Sequence, residues 1–240
     1  FSIILPSRNM PRQFGRCIKS VFNLAKNPEK IELIVVLDED NYHLYTKQIE
    51  YLSHFKKCKI LIKPQNADLN NYYQNDPLRE HSTGKYIFSL ADNIQLIHKN
   101  YDALLIEKIE EFLTDKPDRI LYTKYNECCG NPRFVCWPIT TKETFDTLGC
   151  LIPVELGHPG ADIALVNIFN GLNAIGYNRI LDIAGDYRIL NHPDETTELY
   201  YDYRDSHNIS AIKNSFRPSL TPQETNNYIL KLKTHIESFK

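Results

Sequence analysis

Two apolar runs that break off at polar residues constrain this chain more than any other feature. The first is Ile3-Ile4-Leu5-Pro6, followed by Ser7, Arg8 and Asn9; the second is Leu33-Ile34-Val35-Val36-Leu37, followed by Asp38, Glu39 and Asp40. Runs of this kind form parallel strands buried on both faces. Pro6 has no N–H to give to a ladder, so the first strand is expected to end there. Between the two runs, Phe14, Cys17, Ile18, Val21, Phe22 and Leu24 recur at helical spacing. Strand, helix and strand make one right-handed βαβ unit. Ligands of open α/β sheets bind outside the carboxyl ends of the strands, which puts Ser7, Arg8, Asn9, Asp38 and Asp40 where a ligand sits.

Composition narrows the partners. At 240 residues the chain suits one large α/β domain, or a domain with a tail. Its 28 basic and 30 acidic residues are interspersed without a single-sign run, which argues against nucleic acid. No apolar run approaches a membrane-spanning length, and no signal peptide is visible. The chain opens on a strand at Phe1, so a trimmed chain or one domain of a longer protein is expected. The six cysteines, Cys17, Cys58, Cys128, Cys129, Cys136 and Cys150, show no CxxC pair. They read as reduced core or loop thiols, which suits the cytoplasm, free or at the periphery of a membrane.

Along the rest of the chain, residues 42–55 are expected as a helix and 59–62 as a strand. The Asn-, Gln- and Tyr-rich stretch 64–75 reads as a loop, and 77–81 as one or two helical turns closed by Gly84 as a left-handed cap. Residues 85–90 make another strand, ending at Ala91-Asp92-Asn93. An amphipathic helix over 100–113 carries Tyr101, Leu104, Leu105, Ile109, Phe112 and Leu113 on its apolar side. Strands are expected over 119–125 and 134–139. A helix over 141–148 is capped by Thr141 and stopped by Gly149, and another spans 160–175. A strand at 179–183 and an extended stretch at 187–190 follow. A polar, tyrosine-rich tail then leads to a last amphipathic helix with Pro222 in its first turn.

The motif order resembles the family 2 glycosyltransferases of the GT-A fold, over roughly residues 1–193. Residues Ile3 to Asn9 resemble that family's first strand, and Ile34-Val35-Val36-Leu37-Asp38-Glu39 its second motif. The segment from Thr83 to Asn93 resembles the strand that delivers a metal-binding Asp-x-Asp. Gly160-Ala161-Asp162 resembles the Glu-Asp motif opening the helix that carries the catalytic base, and Ile189 to Pro193 the strand end with a late histidine. The resemblance implies an α/β fold of GT-A type, a Rossmann-like open mixed sheet flanked by helices, with a C-terminal helical appendage. It implies a nucleotide-sugar half to about residue 95, an acceptor half over 96–193 and a tail over 194–240. It also implies transfer of a sugar from a nucleotide-diphosphate sugar to a glycan, lipid-linked or protein acceptor.

By that resemblance Asp162 is the general base of an inverting reaction. Pro6, Ser7, Arg8, Asn9, Asp38, Asp40, Arg79, Lys85 and Asp92 line the donor, and Trp137 and His158 the acceptor. Asp92, Asn93 and His192 would hold Mn²⁺ or Mg²⁺, hard cations that take oxygen ligands and, for manganese, imidazole. Ala91, Asn93, Ala161 and Leu37 stand where the family carries acidic residues. The chain is thus a degenerate member, in which metal binding is expected to be weak and assisted by the nucleotide. Each residue also has a plain structural reading. Asp38, Asp40 or Asn41 could cap or shape a turn, Arg8 could form a surface ion pair, and Lys85 could be a solvated lysine. Asp162 could be an N-cap and Trp137 core. The missing carboxylates leave a second function open, a catalytically impaired GT-A-like binding or scaffold domain. A nucleotidyltransferase is disfavoured because no Gly-rich, basic loop follows the first strand.

Overall fold

The computed structural model describes residues 1–64, 71–126, 137–156, 161–191 and 219–240, without the side chains of Ala161, Asp162 and Asn191. The expected unit is present as β1 (Ser2–Ser7), α1 (Pro11–Asn23) and β2 (Glu32–Asp38). A tight turn at Tyr42–Tyr45 leads through α2 (Thr46–Leu52) to β3 (Cys58–Lys63). A π-helical turn, Asn71–Asn75, runs into α3 (Asp76–His81), then β4 (Tyr86–Ser89), β5 (Ile94–Leu96) and α4 (Tyr101–Leu113). Next come β6 (Tyr122–Lys124), β7 (Ile139–Thr141) and α5 (Lys142–Leu148). Helix α6 (Ala161–Ala174), β8 (Ile180–Asp182), β9 (Ile189–Asn191) and α7 (Pro222–Glu237) complete the order.

The main sheet runs β3-β2-β1-β4-β7-β6-β8, and β5 pairs with β9 in a separate ribbon. Strands β3, β2, β1 and β4 are parallel, with Ile3 opposite Leu33 and Ser7 opposite Leu37. Strand β7 is antiparallel to both β4 and β6. Side chains alternate between faces along a strand, and both faces are covered. Ile3, Leu5, Leu33, Val35, Leu37 and Phe88 join a large core that includes residues of α1, α4, α6 and α7. Ile4, Ile34, Val36 and Ile87 join a smaller one with Tyr73, Leu78, Phe145, Leu151 and Ile152. Two-sided burial explains why these strands read as unbroken apolar runs, each side chain contributing about 1.5–3 kcal/mol. Helix α7 starts on a capping box, Thr221 with Glu224, and sends Tyr228, Leu232 and Ile236 into the large core.

Several expectations are corrected. Strand β1 continues through Pro6 to Ser7. The carbonyl of Ile4 accepts from Leu90 on the β4 side, so Pro6, two residues on, turns its missing N–H to that same side, past the last β1–β4 pair at Ser89. Gly84 is not a left-handed cap. Among the described glycines only Gly149 and Gly176 have positive φ, and a Cβ on Gly84 would lie 2.7 Å from the Ser2 nitrogen. It is glycine because two backbones meet there. The helix expected over 42–55 is α-helical only at Thr46–Leu52, preceded by the tight turn Tyr42–Tyr45, in which Tyr45 is fully buried. The loop expected up to residue 75 ends in the π-helical turn. The strand expected from residue 119 begins at Tyr122, since Arg119 adopts a left-handed φ of 55°.

Candidate functional site

Three adjacent parallel strands, β2, β1 and β4, end in polar residues on one edge of the sheet, and side-chain hydrogen bonds join those ends. The Ser7 hydroxyl donates to Asp92 Oδ2 at 2.7 Å and lies 2.8 Å from the Tyr45 hydroxyl, which accepts from the Met10 N–H at 3.0 Å. A chain of bonds thus runs from the start of α1, through β1, to the loop after β4. Asp92 also accepts from the backbone N–H groups of Arg8 and Asn93, yet burial outweighs these bonds and pushes its carboxyl up to about 6. Asn9 has a left-handed φ of 56°, a conformation asparagine tolerates, and turns the chain from β1 towards α1.

On the other side of Ser7, Arg8 reaches across to β2. Its guanidinium pairs with Asp38, whose side chain is 2% exposed, and with Asp40 at 2.8 Å, whose side chain is 54% exposed. The other oxygen of Asp38 accepts from the Tyr73 hydroxyl at 2.5 Å. Asp38 is therefore a buried, acceptor-only group held between a cation and a phenol. Asp40 is used by Arg8, and Asn41 makes no side-chain cap, so neither opens the following helix in the manner expected.

The remaining candidates fall elsewhere. Arg79 donates to Asp76 at 2.5 Å and to the Gly149 carbonyl at 3.0 Å, which ties α3 to the end of α5. Lys85 precedes β4 at its amino end, its carbonyl accepting from Lys142. Lys85 stands just before the first residue of β4 and Asp92 after its last, so Lys85 belongs to the opposite edge of the sheet. Trp137 is partly buried against the large core, and its carbonyl accepts from the Tyr125 hydroxyl. His158, His192, Cys128, Cys129 and Cys136 lie outside the described residues. Asp162 is the second residue of α6, and its side chain is likewise outside them. Among the described residues no three His, Cys, Asp or Glu side chains converge as a metal cluster, and no helix is long and apolar enough to cross a membrane. Asp92 and Asn93 do supply oxygen donors of the kind Mg²⁺ and Mn²⁺ take. The β5–β9 ribbon brings the backbone of Asn191 opposite Ile94, immediately after Asn93.

Sequence reasoning missed Tyr45 and the turn Asn71–Asn75. The turn buries Tyr73, Gln74 and Asn75 although two of the three are polar amides. Its only signal is an aromatic and amide run without periodicity, which a solvated loop shows equally. The Gln74 carbonyl oxygen accepts from Ser89 at 3.0 Å, and Asn75 binds the backbone of Leu151 and Ile152.

Neither a protein-family model nor a curated protein sequence matches the chain. Solved structures do match its fold. The chain is similar to residues 1–349 of S. aureus TarS, with a TM-score of 0.59 and 15% identity over 100% of this chain and 72% of that one. It is similar to the mannosyltransferase PcManGT from Pyrobaculum calidifontis, solved with GDP-Man and Mn²⁺. There the TM-score is 0.61 and the identity 15%, over 98% of this chain and 69% of that one. The same TarS fragment in complex with UDP-GlcNAc matches at 16% identity and a TM-score of 0.58, over 100% of this chain and 73% of that one. At such identity the likeness is one of fold: a mixed α/β architecture of GT-A type, with a mostly parallel sheet flanked by helices.

Proposed function

We propose that this protein is a glycosyltransferase that moves a sugar from a nucleotide-diphosphate sugar to an acceptor hydroxyl. The observation that carries the reading is the convergence of Ser7, Arg8, Asp38 and Asp92 at the carboxyl ends of three neighbouring parallel strands. That edge is where open α/β sheets bind nucleotides. The fold likeness to proteins solved with UDP-GlcNAc and GDP-Man supports it.

In this reading Asp38 accepts an N–H of the nucleotide base. Pro6 to Asn9 line the donor, and the Arg8 guanidinium, held by Asp38 and Asp40, donates hydrogen bonds to the arriving diphosphate. A divalent cation, when bound with the diphosphate, would neutralise charge on the leaving group. Asp92 and Asn93 would hold it, with His192 as a further candidate. One carboxylate is too little for tight binding to the nucleotide-free protein, so the phosphates must supply ligands too. Asp162 sits in the first turn of α6, where the helix dipole and free N–H groups favour an anion. It takes the proton of the acceptor hydroxyl. The acceptor oxygen then attacks the anomeric carbon, and the bond to the diphosphate breaks with its electron pair, inverting the configuration without a covalent intermediate. Trp137 and His158 belong to the acceptor side, for a glycan, lipid-linked or protein hydroxyl.

Calorimetric titration with nucleoside diphosphates, with and without Mn²⁺, tests this directly. Saturable binding of one of them is expected, tighter with Mn²⁺. Failure of every nucleoside diphosphate to bind overturns the proposal. A specific observation favours a second reading, a GT-A-like binding domain that no longer transfers sugar. Asp92 is the sole carboxylate of Ala91-Asp92-Asn93, and it is already engaged by Ser7 and by backbone N–H groups. Nucleotide binding without transfer across a broad donor and acceptor panel would support that alternative.

A further inference from the structure

Three consecutive residues of the turn Asn71–Asn75 bind three separate parts of the molecule. The Tyr73 hydroxyl donates to Asp38 at the end of β2, 2.5 Å away. Gln74 accepts from Ser89, the last residue of β4, at 3.0 Å. Asn75, with 0% of its surface exposed, faces the loop 150–156. Its Nδ2 donates to the Ile152 carbonyl at 2.7 Å, and its Oδ1 accepts from the N–H groups of Leu151 and Ile152 at 2.8 and 3.2 Å. That loop ends shortly before α6, the helix that begins at Ala161 and carries Asp162.

One turn of chain therefore connects the carboxylate assigned to the donor base with the segment that leads to the assigned general base. A π-helical turn is an uncommon geometry that recurs at functional sites. Here it brings successive side chains to opposite neighbours. A buried asparagine that spans a loop with donor and acceptor together defines the position of that backbone, since any shift leaves buried polar groups unpaired.

We propose that Tyr73 and Asn75 are positioning residues through which occupancy of the donor side sets the loop 150–156; this inference rests on the donor-site reading above. Asp38 offers four lone-pair positions, of which Arg8 and Tyr73 take two, so acceptor capacity for a base N–H remains with Tyr73 in place. A nucleotide that binds only this arrangement depletes the states in which the turn has opened. The Leu151 and Ile152 amides, released only when Asn75 moves, then become harder to reach.

Hydrogen exchange resolved at single amides tests this, with UDP and GDP as probes, each with and without Mn²⁺. At a saturating concentration of whichever nucleotide binds, exchange at Leu151 and Ile152 is expected to slow at least 10-fold in the wild-type protein. The Leu121 amide, bonded to Thr144 Oγ1 at 2.8 Å at the far end of the sheet, serves as reference and is expected to slow much less. In Tyr73→Phe, which keeps the ring and removes the hydroxyl, the nucleotide should still bind at high concentration while the response at Leu151 and Ile152 disappears. Asn75→Asp keeps the acceptor oxygens but not the donor to Ile152, and should speed exchange at both amides before nucleotide is added. Calorimetric binding with no change at Leu151 and Ile152, or with equal slowing at Leu121, overturns the coupling and leaves the donor site standing. Failure of UDP, GDP and every other nucleoside diphosphate to bind removes the donor site and the coupling with it.

Discussion

The proposed donor side, where β2, β1 and β4 end, and the described residues from β6 to Leu156 within the proposed acceptor side are held together by different means. On the donor side, strands of six and seven residues pair in long parallel register, buried on both faces. The polar residues that follow are placed by the strand ends themselves. On the acceptor side, β6 and β7 have three residues each, and position comes from side chains on backbone. Thr141 bonds the Arg119 carbonyl, Thr144 bonds both backbone groups of Leu121, and Asn75 bonds Leu151 and Ile152. Helix α7 adds Tyr228, whose hydroxyl donates to Glu155 at 2.9 Å. The proposed donor side is thus placed by its ladder, and the proposed acceptor side by a few side-chain bonds. Mutations on the two sides should separate binding from transfer.

The largest separation is expected at Asp162. Asp162→Asn removes the proposed base while preserving shape, so transfer should fall roughly 10²–10⁴-fold with nucleotide affinity intact. Single-turnover assays beside calorimetry read both quantities. Equal loss of the two would assign Asp162 a structural task, and the proposed division of the site would break. On the donor side, Asp38→Ala should weaken nucleotide binding by about 1.5–3 kcal/mol, since it deletes a charged acceptor shared by Arg8 and Tyr73. Unchanged affinity would take Asp38 out of the site.

A smaller effect concerns pH. Burial raises the Asp92 carboxyl from 3.8 to about 6, so between those values the folded chain binds a proton that the unfolded chain has released. The stability this group contributes is full below its unfolded value and is lost as pH rises through its folded one. Asp92→Asn, which can still accept from Ser7, should therefore flatten the fall in stability between pH 4 and pH 7, by on the order of 1–2 kcal/mol. Urea unfolding at both pH values checks this, and parallel curves for mutant and wild type would mean that Asp92 is solvated. The smallest effect is expected at Tyr228→Phe, which loses the bond to Glu155 and the weak one from the Cys150 thiol, and should cost about 0.5–1.5 kcal/mol of stability while leaving nucleotide affinity alone. A weakened nucleotide would show that α7 supports both sides.

The same contrast divides what could be read without coordinates. Elements with a local signal were legible: β1 and β2 from their apolar runs, α1 from its spacing, α5 from Thr141 and Gly149, and α7 from Pro222. So were Ser7, Arg8, Asp38 and Asp92 as a group at neighbouring strand ends, because a buried parallel strand fixes where its next polar residue emerges. Strand β5, at three residues, shows no period and was not legible, whereas β9 overlaps the extended stretch expected at 187–190.

Only the tertiary structure revealed bonds between distant positions. It set Tyr73 on Asp38, 35 residues away, and Asn75 on Ile152, 77 residues away. It moved Lys85 to the far edge of the sheet and gave Arg79 to Asp76 and Gly149. It showed that Gly84 is glycine because the Ser2 backbone passes against it, not because a helix ends nearby. The physical reason is common to all of these. Periodicity and caps are properties of consecutive residues, which a chain displays along its own length. A hydrogen bond across the fold depends on which strands lie side by side and which end of each faces the partner, and that is decided only when the sheet has formed.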